Sequence, residues 1–242
     1  MTALVLKIIA MISMFCDHIG YVIIGHTSFF NFIGRIAFPI FAFQISEGYI
    51  HTKNIKKYII RLGIFAIISQ IPFTLFTHKY INPNSTTLNV FFTLFLGLIA
   101  IYLYDWTIKT LSNNKKDEKN TKKALPLIIT QIIGIIFVLL IGFIAKELNT
   151  DYGMWGVVVI AAFYIFKKNQ ALTVIAFILL CVIKYSIRII ENGYNITTIM
   201  LCIFTMISIM VISLYNGKQG KKIKYVVYLF YPLHLLLLYF IP

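Results

Sequence analysis

Nine unbroken apolar runs, most of them about as long as a bilayer is thick, divide this chain of 242 residues, and they restrict its fold more than anything else in it. A helix needs about 20 mostly apolar residues to cross the hydrocarbon core. The runs are 3–24, 29–50, 58–77, 88–111, 125–146, 152–166, 170–189, 196–215 and 222–241, the sixth short and divided from the seventh only by "KKNQ". Apolar residues make up 60% of the chain and charged ones 12%, too few polar side chains to clothe a water-facing surface. Because the runs do not alternate apolar with polar, a transmembrane β-barrel is excluded. The expected fold is all-α: a polytopic transmembrane helical bundle of about nine spans (range about 8–10), forming a single domain over 1–242. The N-terminus has neither a basic leader nor a clear cleavage site, so the first helix is read as retained.

The net charge is +14. Its lysines lie in short connections rather than in one patch with interleaved aromatics, which argues against nucleic acid as a partner. Such connections mark cytoplasmic loops beside anionic membrane lipid. Lys53, Lys56, Lys57 and Arg61 lie between the second and third spans, and "SNNKKDEKNTKKA" follows the fourth, with 112–124 read as a flexible basic cytoplasmic loop. Lys167 and Lys168 follow the sixth span, and "NGKQGKK" precedes the ninth. Every second connection is basic, so an odd number of spans and the charge rule agree on a cytoplasmic N-terminus and an external C-terminus. The localisation expected is the cell membrane, with multiple passes. Cys16, Cys181 and Cys202 sit within apolar runs, read as packing residues, and no ligand spacing suggests a metal.

Within this lipid-suited sequence, "MFCDHIGYVI" places Asp17 beside His18 in the first span. With about 1.5 Å of rise per residue, Arg35 of the second span and His234 of the ninth fall at comparable depths. A charge there is costly and faces a cavity or a partner. Adjacent helical residues point about 100° apart, so Asp17 is poorly placed to orient His18, and its natural partner is Arg35. The alternative for Asp17 and Arg35 is a plain buried ion pair that joins two helices. Pro39 and Pro232 should free the carbonyls of Arg35 and Tyr228, kinking their helices beside a cavity. Tyr231 and His234 share a face, and His234 is read as either a packing or a catalytic histidine. Glu47 (paired with His51), Gln70, Asn89 and Tyr231 are the remaining polar candidates for substrate contact.

These residues form a pattern. Through "LKIIAMISMFCDHIG", "FIGRIAFPIFAFQISEGYIHTKNIKKYIIRLGIFAIISQIPF", "NVFFTLFLGLIAIY", "DYGMWGV" and "YLFYPLHLLLLYFI", the chain resembles the F-pilin acetylation (TraX-like) family of integral membrane proteins. That family is itself distantly similar to the membrane acyltransferase-3 class. The resemblance covers nearly the whole chain, lapsing in 112–124 and in the seventh and eighth spans. It implies acyl transfer, of acetyl in the first place, from cytosolic acetyl-CoA or another acyl-CoA to an amine or hydroxyl at or outside the membrane. The acceptor classes open to it are a peptide, a glycan or a lipid head group. The wider class implies a membrane-embedded histidine, a role carried to His18 of the "DHIG" motif.

The residues suit that chemistry. A neutral imidazole serves as base or nucleophile near pH 7, and a cation such as Arg35 could steady the oxyanion. Lys53, Lys56, Lys57 and Arg61 are the candidate contacts for the donor's phosphates. A transporter or flippase, with the Asp/His/Arg cluster as substrate or proton site, is the alternative from another class. Paired halves, frequent in transporters, are not evident.

Overall fold

The computed structural model describes residues 1–25, 28–112, 125–221 and 223–241. Apart from Ser112, the stretch read as a flexible loop lies outside the described residues. Among the described residues there are ten helical segments: α1 (Ala3–Ile24), α2 (Phe29–Gly34), α3 (Ala37–His51), α4 (Ile55–Tyr80), α5 (Val90–Ser112), α6 (Leu127–Glu147), α7 (Gly153–Ile165), α8 (Gln170–Asn192), α9 (Ile196–Ser213) and α10 (Lys224–Tyr239). Helices α2 and α3 form one crossing over Phe29–His51, interrupted by a turn at Arg35 and Ile36. Pro39 follows as the third residue of α3, where no amide is yet needed by the helix. The break predicted around this proline is therefore real, and it lies just ahead of the ring.

Several helix starts are written locally. Side chains of Thr2, Asn54, Asn169 and Asn195 accept hydrogen bonds from the first-turn amides of α1, α4, α8 and α9. Gly25 ends α1 in the left-handed region, at φ 72°.

Hydrogen bonds between connections show which helix ends share a side. The amides of Ala3 and Leu4 donate to the carbonyls of Lys218 and Gln219, tying the start of α1 to the α9–α10 connection. At the opposite end, the Lys79 ammonium donates to the carbonyls of Tyr239 and Ile241. Leu88 pairs with Thr150, joining the α4–α5 and α6–α7 connections. Successive crossings thus run alternately. Lys53, Lys168 and Lys218 all fall at one end, called the basic end below.

Seven crossings are long and apolar enough to span a membrane by length and composition. Two helices are shorter, α7 and α10. With 13 residues, α7 is about 20 Å long. It lies inside the bundle, burying Gly156, Val157, Val159, Ile160, Ala161, Phe163 and Tyr164. Lipid does not set its length, since α3, α5, α6 and α8 surround it. The bilayer-facing surface is made by exposed residues such as Ile67, Ile71, Ile128 and Ile190. Glycines allow the closest approaches: a Cβ on Gly97 would stand 2.3 Å from Ile160 Cδ1, locking α5 against α7.

Candidate functional site

The first polar cluster is built on α1 and the α2–α3 break. The Arg35 guanidinium lies 2.7 Å from an Asp17 carboxylate oxygen. Arg35 Nε donates to the carbonyl of Asn31 at 3.2 Å, and Asn31 Nδ2 donates to the backbone and side-chain oxygens of Asp17 at 2.8 and 3.2 Å. A Cβ on Gly34 would stand 2.3 Å from Asp17 Cβ, so only glycine lets α2 reach α1 here. Asp17 and Arg35 are thus joined in a closed network. The helix-joining ion pair anticipated from the sequence is present.

His18 points elsewhere, and its partner is His234. Nδ1 of His18 lies 2.8 Å from Nε2 of His234, while Nδ1 of His234 lies 2.7 Å from the carbonyl of Phe230. A carbonyl only accepts, so His234 carries its proton on Nδ1. In a neutral ring its Nε2 is then the acceptor, and His18 must donate from Nδ1. The remaining nitrogen, His18 Nε2, keeps its lone pair. Phe76 stands edge-on to the His18 ring at 5.1 Å between centroids, and Phe230 stacks on His234 at 4.7 Å. His234 is 3% exposed, so this polar pair is closed off on that side.

A cavity of about 430 Å³ opens between α1, α3, α4, α5 and α10. Lys7, Glu47, His51, Lys53, Arg61 and Gln219 line it toward the basic end, and Met14, Phe91 and Tyr231 line it farther in. Its size falls in the range of small-molecule sites. His18 lies one helical turn beyond Met14, with its ring centroid 6.5 Å from that of Tyr231. Tyr231 therefore borders both the cavity and the histidine pair. Glu47 and His51 are paired at 3.5 Å in the cavity wall.

Other candidates lie apart from this cavity. Gln70 and Asn89 bind each other: Gln70 Oε1 accepts from the Asn89 amide and Nδ2, and Asn89 Nδ2 also donates to the carbonyl of Ala66. They fasten the start of α5 to α4, and neither lines the cavity. Lys56 does not border this cavity, whereas Lys57 borders a second, smaller one with Arg61. The structure thus separates the four basic residues that the sequence grouped together.

Three charged residues were not among the candidates read from the sequence, although Asp151 opens the "DYGMWGV" segment. Asp105 accepts from the hydroxyls of Tyr49 and Tyr164 at 2.7 and 2.9 Å and pairs with Lys109 at 2.6 Å, binding α3 and α7 to α5. The Lys184 ammonium stands 3.9 Å from the centre of the Trp155 ring. Asp151 opens the turn into α7, next to Tyr152, whose ring stacks on Phe38 at 3.7 Å. The signal that exposed Asp17, a charge in an apolar run, was available for Asp105 and Lys184 as well. Among the described residues no group of histidine, cysteine, aspartate or glutamate side chains is placed to hold a metal ion.

A "Probable fimbrial assembly protein FimC, serogroup H1" of Dichelobacter nodosus is 26% identical over 253 residues, covering 98% of this chain and 94% of that protein. An "Uncharacterized protein RP591" of Rickettsia prowazekii (strain Madrid E) is 29% identical over 150 residues, covering 60% of this chain and 56% of its own. No solved structure gives a significant match. The family described as "TraX protein" matches residues 3–242, nearly the whole helical bundle, and the chain belongs to it.

Proposed function

We propose that the protein is a membrane-embedded acyltransferase that moves an acetyl group from acyl-CoA to an amine or hydroxyl acceptor. The observation that carries this reading is the His18–His234 hydrogen bond, which leaves an imidazole lone pair on His18 just beyond a cavity open toward the basic end. The family is associated with pilin acetylation, and the Dichelobacter relative is described as a fimbrial assembly protein. Both favour a pilus component, and hence a peptide, as the first acceptor to test.

In this mechanism the acyl-CoA head is held at Lys53 and Arg61, and its thioester reaches inward along Met14 and Phe91. On this reading the Tyr231 hydroxyl, at the inner end of the cavity, donates to the thioester carbonyl. His18 Nε2 takes the acceptor's N–H or O–H proton as the acceptor attacks that carbonyl. The C–S bond then breaks, and the leaving thiolate takes the proton from His18 Nε2, which returns His18 to its starting form. Asp17 and Arg35 hold α1 against α2 so that His18 faces His234. Arg35, with Nε and Nη2 already engaged, has a structural part in this scheme.

The test uses purified protein in detergent, where transport has no meaning, with acetyl-CoA and pilin peptide. CoA release and an acetylated peptide are expected. His18→Ala should lower turnover about a hundredfold to ten-thousandfold, the usual worth of a general base, while the protein stays folded. A His18→Ala protein that acetylates normally would refute the assignment.

A further inference from the structure

Arg61 stands in a wall between two spaces. The central cavity reaches it from inside the bundle. A second space of about 280 Å³ reaches it from outside, bounded by Lys57, Ile60, Arg61, Ile64 and Phe65 of α4 and by Tyr225 of α10. Ile60 and Ile64 are 61% and 50% exposed on a helix that crosses the membrane, so this groove faces the bilayer. Among the described residues two cations line it, and no acidic side chain does.

Arg61 is also held without a counter-ion. Among the described residues it forms no ion pair, and its Nε is buried with no hydrogen-bond partner. Instead the guanidinium lies 5.3 Å from the Tyr58 ring centre and 5.5 Å from that of Tyr228. Two aromatic rings and a side-chain hydrogen bond with Tyr228 fix its position but leave its charge unneutralised. A planar donor fork of this kind matches a phosphate. One that also borders a lipid-facing groove matches a phosphate attached to an apolar tail.

We propose that the groove between α4 and α10 binds an anionic phospholipid, with Lys57 and Arg61 on its phosphate and an acyl chain along Ile60, Ile64 and Phe65. The apolar floor distinguishes this occupant from a free anion, and the lack of any acid distinguishes it from a zwitterionic lipid. Lys57, grouped by sequence with the donor contacts, belongs on this reading to the lipid. Arg61 is shared, so a bound lipid sets how much of the guanidinium remains for the central cavity. That last consequence rests on the acyltransferase reading; the binding itself does not.

The experiment measures lipid retention by native mass spectrometry, and melting temperature, on the purified full chain in detergent. Phosphatidylglycerol, phosphatidylcholine and inorganic phosphate are added separately. Phosphatidylglycerol should be retained and should raise the melting temperature, and the other two should do neither. Lys57→Gln and Arg61→Gln should each weaken phosphatidylglycerol binding about fivefold, and more salt should weaken it further. Lys57→Gln keeps the backbone amide that Asn54 caps, so the helix start survives. Lys56→Gln, next to the groove but outside it, should change nothing. Equal retention of phosphatidylcholine would overturn the proposal, as would an equal loss in Lys56→Gln. Stabilisation by inorganic phosphate to the same degree would make this a free-anion site and overturn the lipid. None of these readings depends on turnover, so they fail or succeed separately from the acyltransferase assignment.

Discussion

Which ring nitrogen holds the proton decides what His18 does, and His234 decides that. By accepting from Nδ1 it holds the tautomer that leaves Nε2 bare. His234→Leu removes the acceptor and should lower kcat about tenfold to a hundredfold, less than removing the base itself, with KM values little changed. His234→Gln, whose amide oxygen accepts in the same place, should recover part of the loss in a steady-state assay. The pH dependence has a definite sign. Protonating Nε2 destroys the lone pair, so the rate should fall toward acid and level off on the alkaline side in a kcat–pH profile. Asp17 and Arg35 answer to a different measurement. Removing one partner of a buried pair costs about 3–5 kcal/mol when burial is complete, and less here, with 17% and 23% of the side chains exposed. Asp17→Asn or Arg35→Gln should therefore lower melting temperature, with the double variant losing less than the sum. Asp17, His18, Arg35 and His234 were all legible from the sequence, because a charged or ring-nitrogen side chain stands out in an apolar run. The pairing of His18 with His234 was not. Depth follows from counting residues, but which way each side chain faces is decided by packing between helices 216 positions apart.

At the level of helices, the α2–α3 break and the glycine contacts position the site. Gly34→Ala puts a methyl group into Asp17, and Gly97→Ala puts one into Ile160. Overpacking of this kind costs about 1–3 kcal/mol. Both variants should melt earlier or express less, and Gly34→Ala should also disturb turnover through α1. Gly63→Ala is the milder control, its new Cβ 3.2 Å from the edge of the Phe95 ring. Differential scanning fluorimetry on the three would show whether the order holds. Most crossings were readable from the sequence to within a few residues, because lipid demands a long apolar run whatever the packing. The interior placement of α7 was not readable. A short apolar segment has the same composition whether it is surrounded by lipid or by other helices.

For the molecule as a whole, the basic end fixes two expectations. In a background lacking Cys16, Cys181 and Cys202, cysteines placed at Lys168 and at Asn84 should react with impermeant reagents from opposite sides of the membrane; labelling from one side would refute the alternating crossings. The proposed donor entry at the same end predicts that Lys53→Ala with Arg61→Ala raises the KM for acyl-CoA about tenfold while sparing that of the acceptor. The site itself joins α1 to α10, and this has a bearing on biosynthesis. Ribosomes extend a chain at about 5–20 residues per second. His18 therefore enters the membrane roughly ten to forty seconds before His234 is made, and during that interval its ring has no partner to set its tautomer. A nascent or prematurely ended chain lacks the pair altogether. On the acyltransferase reading, turnover therefore waits until the tenth helix closes against the first and His18 meets His234.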